Sequence, residues 1–552
     1  MLTLVPMLKV KVYVPRSHLE RVLFNIGKEG LLHLVDAKED FYEEVAKGLL
    51  KPLDVSARLY KISLLSSRIE RTSSILSLAS ARSFEGLNEE DVLSFSISDC
   101  EAYLDSLEKL LSSGDELTME KVKEEHGEKV LRLNVLLKML EALESAKAKV
   151  VETSSIAIFS GWLPRKFLKV FTDVMERACN GCYVVEYEEP KGHKEGHKEV
   201  HQEVKVPSLM RNPSWARVYE GLVRGLGTLN YKEIDPTIIW FFTFPIFFGI
   251  MFPDVGHGLV LLALSIPLYH LKRKGYKGGE ISNYIVQGAP VLMACAITST
   301  IFGVIFGEFF GNPHSEHHPF HIFGYDPFKN EVMAQFRAWA LSILGLPKEF
   351  HVLEPSGATA LLKLTIYIAI FHITLGLVFS VINKVRLGEY KEAILGPGLW
   401  LWLYVGAGMA FIIYRGKLIP AALGGDPMVF VLIWLPFIVM FIARMIFMGF
   451  LDGFGESLDH FIASLSNTIS YARLFAFAIV HAVLSDVFLT VDHGLYTMTG
   501  VPFIGAAAGT LFFVFFEIVF VFFQALRLHW VEHGTKFLIA DGTPFQPFTI
   551  KS

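Results

Sequence analysis

Several things are scarce in this chain of 552 residues, and each scarcity narrows its function. There are four cysteines, Cys100, Cys179, Cys182 and Cys295. Cys179-Asn180-Gly181-Cys182 has redox or metal spacing, but no second ligand pair accompanies it, so it reads as an ordinary turn in a reducing compartment. No Gly-x-x-x-x-Gly-Lys-Ser/Thr motif occurs, and no glycine-rich phosphate loop joins the first strand to the helix after it. Neither a nucleotide site nor another cofactor is therefore expected. No secretory signal core opens the chain: Lys9-Val10-Lys11-Val12-Tyr13-Val14 alternates polar and apolar, as a strand does, so the first domain is expected to stay in the cytoplasm. Nothing points to nucleic acid. Charge, finally, is scarce over most of the second part of the chain. The overall figures, 52% hydrophobic, net charge -5 and mean hydropathy +0.41, average a polar part (to about Asp235) with a greasy remainder.

In the polar part, residues 7–36 read strand, helix, strand, with Ser17 and Glu20 spaced as a capping box. From 43 to 151, Leu59, Ile62, Leu65 and Ile69, then Leu104, Leu107 and Leu111, then Leu133, Leu137 and Leu140, make near-heptad stripes, the pattern of an antiparallel coiled coil. Residues 152–188 read as a second strand-helix-strand unit. The expectation is a mainly helical protein whose residues 1–206 form an elongated cytoplasmic arm, a helical rod with a small α/β unit at each end. Residues 189–206, with His193, His197 and His201, read as a charged solvated linker, and 207–235 as a connector.

Residues 236–552 are expected to form a membrane domain of about eight helices, roughly 236–252, 254–271, 284–310, 360–383, 394–414, 427–450, 460–490 and 503–533. Most reach the ~20 residues that cross ~30 Å of hydrocarbon. The last two exceed that length and should tilt. Lys272, Arg273, Lys274 and Lys277, with Lys384, Arg386 and Lys391, mark their loops as cytoplasmic; Arg415 and Lys417 vote weakly the other way. Both termini are then inside, and the 312–356 loop, with His314, His317, His318 and His321, is outside. No metal site is expected there or elsewhere.

Charges interrupt the last two spans. A charge at the bilayer centre costs about 2.5–3.5 kcal/mol on insertion scales, so such residues mark function or a buried partner. Ser466, Ser470, Arg473, Phe477 and His481 recur every three or four residues, roughly along one face. Glu517, Gln524, Arg527, His529 and Glu532 interrupt the last span. Glu456 and Asp459 lie near the inner mouth of the seventh. Titratable groups thus occupy both halves, with arginines between them: the pattern needed for two offset half-channels. Arginine suits the separator because it stays protonated and cannot relay a proton by losing one. Glu308, His372 and Arg444 line a cavity, pair with each other or serve packing, and Asp254 and His257 read as structural, near an outer hairpin.

Ser466-x-x-x-Ser470-Tyr471-x-Arg473-Leu474-x-Ala476, His481, and Ala525-Leu-Arg-Leu-His-Trp-Val-Glu532 resemble the last two membrane helices of subunit a of vacuolar-type ATPases, called subunit I in archaea and bacteria. Phe248-Gly-Ile-Met-Phe-Pro-Asp-Val-Gly-His-Gly258 is similar to the family's first hairpin, and Leu8–Pro15 to its opening strand, so the resemblance spans nearly the whole chain. Pro253 stands where the family often has glycine, and Phe475 where eukaryotic members have tryptophan; neither touches the charged positions.

The resemblance implies a non-catalytic membrane stator of a rotary ATPase or ATP synthase. Arg473, His481, Glu517 and Arg527 match the family's ion-path residues, and Ser466, Ser470, Gln524, His529 and Glu532 join them by position. Implied partners are a rotor proteolipid ring, peripheral-stalk heterodimers, the other ATPase subunits and membrane lipids. Short loops favour the plasma membrane of an archaeon or bacterium. The alternative class is a secondary ion transporter with a cytoplasmic regulatory domain, which calls for inverted repeats that spans one to four and five to eight do not display. A third is a mechanical anchor whose arginines are satisfied by packing.

Overall fold

The computed structural model describes residues 3–76, 78, 88–112, 116–190, 206–276, 278–313, 318, 328, 330–414, 417–501 and 503–550. The linker histidines 193, 197 and 201, the loop histidines 314, 317 and 321, and Lys277 and Arg415 lie outside them. The described chain is mostly helical and divides into two compact units.

One unit comprises Val5–Leu209 and Gly542–Ser552. Its strands are β1 (Met7–Pro15), β2 (His33–Val35), β3 (Lys51–Pro52), β4 (Val151–Glu152), β5 (Ile156–Pro164) and β6 (Val184–Glu188), and they form one sheet in the order β3-β4-β5-β1-β6, with β2 on β5. β1 pairs antiparallel with β5 from Met7 opposite Pro164 to Pro15 opposite Ile156. The two α/β units expected at opposite ends of a rod therefore share a single sheet. The reason is in β5: after Ile156 its positions are all buried, as in a strand with neighbours on both sides. It fills the centre left open by β1 and β2.

The helices Ser56–Ile75 and Glu116–Lys147 form the expected hairpin, burying Ile62, Leu65 and Ile69 in one core with Val130, Leu137 and Leu140. The helix Ile97–Ser112 adds Leu104 and Leu107, and its Asp105 and Glu108 hold Arg68 at 2.6 and 2.8 Å. The capping box does not form. A tight turn at Arg16–His18 delays the helix to Leu19–Glu29, so Ser17 is misplaced, and Glu20 pairs with Lys147 instead. Cys179 closes a helix and the backbone NH of Cys182 donates to its carbonyl (3.0 Å), the expected turn. The C-terminal residues depart from the expected 236–552 domain. The NH groups of Phe548 and Ile550 donate to Leu32 and Gly27 carbonyls (both 2.8 Å), and Ile550 is buried in this unit's core.

The other unit comprises Met1–Leu4 and Met210–Asp541. Among its described residues it holds seven helices long and apolar enough to cross a membrane: Val255–Arg273, Glu280–Phe306, Pro355–Leu387, Tyr390–Tyr414, Pro427–Phe447, Phe450–Thr499 and Ile504–Lys536. An eighth apolar helix, Thr237–Met251, has 15 residues. That is about 22 Å, short of a ~30 Å hydrocarbon layer. A turn made at such depth must satisfy its polar groups within the protein. It does: Asp254 accepts from the NH groups of His257 (2.8 Å), Phe310 (3.1 Å) and Gly311 (2.8 Å), and the Ser299 hydroxyl donates to the Phe252 carbonyl (2.6 Å).

The 312–356 segment, read from sequence as irregular, contains the helix Glu331–Ile343. Its Arg337 donates to the carbonyls of Ile305 and Phe306 (both 3.1 Å) and Phe350 (2.7 Å), capping the C-terminus of Glu280–Phe306.

The hairpin backbone lies directly on Gly303: a Cβ there would come within 2.4 Å of the Val255 nitrogen and 2.6 Å of the Asp254 carbonyl carbon. Gly288, on the same helix, has open space around it. Gly303→Ala is expected to lower the thermal unfolding midpoint of the detergent-solubilised protein by several degrees, a shift matching roughly 1–3 kcal/mol of overpacking. Gly288→Ala should leave it unchanged or slightly raised. Equal midpoints for the two variants would contradict the close approach.

Candidate functional site

The last two apolar helices build the site. Phe450–Thr499 is interrupted once, at Tyr471, where the Leu474 NH reaches back only to the Tyr471 carbonyl (3.0 Å). The following helix returns alongside it in antiparallel register. Asp492 accepts from the Gly505 NH (2.8 Å), Gly509 packs on Phe488, Glu517 meets His481, and Gln524 meets Arg473. Gly505 and Gly509 permit this approach, since a Cβ at either would come within 2.6–2.8 Å of the neighbouring helix.

Two wide π-helical turns, Phe513–Glu517 and Leu528–His533, interrupt the returning helix. Each re-aims the side chains after it, and such turns gather at functional sites. The first brings Glu517 inward and the second buries His529, Glu532 and His533 together.

Arg473 lies at the centre of the first cluster. Its guanidinium donates to Glu532, to the Gln524 side-chain oxygen (3.0 Å) and to the Ser470 carbonyl (2.9 Å). Glu532 is almost fully buried, and its Oε2 has no hydrogen-bond partner. The second cluster is eight residues further along, about 12 Å at 1.5 Å per residue. His481 is fully buried, with Nδ1 3.1 Å from Glu517 and Nε2 3.7 Å from Asp254. Asp254 also lies 3.2 Å from His257 Nδ1. Glu517 Oε1 is buried without a partner.

The sequence-expected residues divide accordingly. Arg473, Gln524 and Glu532 come together, with Ser470 contributing its carbonyl, and so do His481 and Glu517. Ser466 is exposed and touches the cluster only through Ser470, whose hydroxyl bonds its carbonyl (3.0 Å). The stripe from Ser466 to His481 thus runs from an open face to a buried one, because a spacing of four residues drifts around a 3.6-residue helix. Arg527 is exposed and makes no ion pair with the described residues. His529 is elsewhere: Nδ1 donates to the Ala525 carbonyl (2.8 Å), Nε2 meets the Thr243 hydroxyl (2.7 Å), and Trp240, Phe244 and Phe247 surround the ring. Glu456 lies 3.6 Å from Arg444, which also contacts His460 (3.1 Å), and Asp459 is exposed.

Sequence reasoning missed His533 and underread His372, Asp254 and His257. His372 stacks on His533 (4.0 Å, 5°) and bonds the Tyr471 hydroxyl (2.7 Å), while His533 Nδ1 donates to the His372 carbonyl (2.9 Å). His372 stood out from the sequence as a polar group within an apolar run; His533, at the end of the last one, did not. Asp254 and His257, read as structural, meet His481; the signal was a carboxylate and an imidazole three residues apart at a break between spans.

Among the described residues, seven helices long and apolar enough to cross a membrane, with arginine, carboxylate and imidazole clusters on the last two, define a multi-pass membrane protein built around intramembrane charge. Comparison with known proteins gives the family. The profile of the V-type ATPase 116kDa subunit family matches residues 15–397 and 454–550, and the chain belongs to that family. A-type ATP synthase subunit I of Methanothermobacter thermautotrophicus is 25% identical, over 72% of this chain and 52% of its own length. Subunit I of Thermococcus kodakarensis is 25% identical, over 73% and 55%. V-type proton ATPase subunit a1 of Arabidopsis thaliana is 26% identical, over 62% and 53%. The chain spans about half the length of the curated relatives it matches.

The pairing of Arg473 with Glu532 can be tested apart from transport. Breaking a buried pair from one side strands a charge, at a cost of about 3–5 kcal/mol, while replacing both partners by apolar groups is often neutral. Arg473 is partly exposed, so the lower end applies. Glu532→Leu should lower the thermal midpoint clearly, and Arg473→Met combined with Glu532→Leu should recover most of the loss. A double variant no more stable than Glu532→Leu would mean that the pair does not couple the two helices.

Proposed function

We propose that this chain is the membrane stator subunit of a rotary A/V-type ATPase or ATP synthase, offering two ion half-channels beside a rotor ring, with Arg473 between them. The observation that carries this reading is the arrangement along Phe450–Thr499. An arginine is anchored by Gln524 and Glu532, and an imidazole paired with a carboxylate lies eight residues further on the same helix. Family membership supports it, as do relatives named A-type ATP synthase subunit I and V-type proton ATPase subunit a1.

In this reading a carboxylate on the rotor, another chain, reaches Arg473 from one side. The guanidinium stabilises its ionised form and so releases its proton or sodium ion. Lysine could shed its charge under desolvation, whereas arginine cannot. His481 and Glu517 exchange protons on one side, helped by a buried Glu517 oxygen with no partner of its own. Glu532 holds Arg473 and stands on the other side. Arg527, exposed one turn beyond Gln524, presents a second positive charge towards the rotor. Ser466 and His529 support helix geometry, and Glu456 and Asp459 lie at the inner mouth. The unit built from residues 5–209 serves as the cytoplasmic arm that binds peripheral-stalk heterodimers and resists torque. Nucleotide chemistry belongs to other subunits, and the host membrane is the plasma membrane of an archaeon or bacterium.

ATP-driven ion uptake into vesicles carrying the assembled complex tests this reading. Arg473→Ala should abolish uptake with assembly intact, and Arg473→Lys should restore little of it. Glu517→Gln and His481→Ala should slow uptake by about tenfold or more, in keeping with the loss of one proton-transfer group, without abolishing it. Near-normal uptake by Arg473→Ala in an assembled complex would return this arginine to a packing role.

A further inference from the structure

Asp254, His257 and His481 come from three places in the sequence: a turn, the first turn of Val255–Arg273, and the middle of Ala472–Thr499. All three are buried, and one ligand-type atom from each falls within 4.8 Å of the others. His257 Nδ1 is 3.2 Å and His481 Nε2 3.7 Å from the Asp254 carboxylate. Yet neither nitrogen completes a hydrogen bond, although both are shut away from solvent. Two buried imidazoles thus aim nitrogens at one carboxylate from ion-pair range without completing a hydrogen bond. Buried polar atoms are nearly always satisfied, so these need an explanation.

We propose that Asp254, His257 and His481 form a binding site for one divalent transition-metal ion of the Zn2+ or Co2+ type. Ligands about 2.0–2.1 Å from a tetrahedral ion lie roughly 3.3 Å from one another; His257 Nδ1 is 3.2 Å from Asp254 Oδ1 and His481 Nε2 is 3.7 Å from Asp254 Oδ2, so small side-chain shifts bring both imidazoles onto an ion held by one carboxylate oxygen. Two imidazoles and one carboxylate favour borderline metals over Mg2+ or Ca2+, which take oxygen ligands.

The surroundings are those of a metal centre as well. His481 turns its other nitrogen to Glu517 at 3.1 Å, the carboxylate–histidine arrangement that orients a ligating imidazole. Asp254 is fixed by three backbone NH groups. The rings of Phe252 (4.5 Å from His481), Phe513 (4.5 Å from His257) and Phe310 (5.0 Å from His257) form an apolar wall. No fourth His, Cys, Asp or Glu among the described residues joins the group within 4.8 Å, and the buried Glu308 carboxylate, one oxygen of which has no hydrogen-bond partner, stands near it. Metal binding is measured without transport, so its failure is distinguishable from failure of the rotary reading; an ion on His481 Nε2 would hold that imidazole out of the proton exchange proposed above, making the occupied site and the conducting path alternative states.

The test uses the purified full-length chain in detergent, stripped with chelator and equilibrated with Co2+, with Mg2+ as a control. A single Co2+ per chain should bind with the strong visible absorption of a four-coordinate ion, and Zn2+ should displace it. Mg2+ should not compete. His257→Gln should weaken binding by about tenfold or more, and Asp254→Asn likewise. Absence of the four-coordinate spectrum in the unaltered chain overturns the proposal. So does a spectrum that survives in both variants, since it would then arise from histidines elsewhere. Should a variant fold poorly, the spectrum of the unaltered chain and its displacement by Zn2+ still decide.

Discussion

A guanidinium inside an apolar helix must be held, and nearly everything in the membrane unit follows from how Arg473 is held. Its partners, Gln524 and Glu532, belong to the returning helix. That helix must therefore lie close and in one register. The closeness comes from Gly505 and Gly509 against Asp492 and Phe488, and the register from the Asp492 cap on Gly505. The two π-helical turns then rotate Glu517 and Glu532 inward at the two depths where His481 and Arg473 wait. A regular α-helix with the same sequence would present them differently, because each wide turn carries one extra residue.

The second constraint is the short first helix. With 15 residues, Thr237–Met251 turns back early, so Asp254 and its turn lie among the helices and not beyond them. Polar backbone at such a place is tolerable only inside protein. Gly303 lets the turn approach, Asp254 and Ser299 satisfy it, and Asp254 thereby meets His481. One carboxylate serves both as the cap of a helix and as a member of the charged cluster.

Much of this was legible in the sequence, for physical reasons. Long apolar runs announce membrane helices, and a charge within one announces a partner, so Arg473, His481, Glu517, Gln524 and Glu532 stood out. What sequence could not give was pairing across space. Nothing local says that β5 inserts beside β1, since residues 16–155, with several helices, intervene and strand pairing is a tertiary matter. A spacing of three and four suggested that Ser466 shares a face with His481, but drift around the helix leaves Ser466 exposed and His481 buried. His529 looked like an ion-path residue because it is charged in some states. Its bonds to Ala525 and Thr243, within an aromatic shell, are contacts no spacing rule reveals. The helix Glu331–Ile343 went unread amid prolines and histidines, although its Arg337 caps a neighbouring span.

If Arg473 is a barrier and not only a brace, its removal should open a path that needs no rotation. Passive flux of protons or sodium ions is the direct measure, taken across vesicles holding the assembled complex, without ATP, under an imposed membrane potential and with the rotor carboxylate chemically blocked. The account predicts that Arg473→Ala leaks well above the unaltered complex, while His481→Ala stays as tight as the unaltered one. An Arg473→Ala complex that holds the potential as well as the unaltered protein would contradict it.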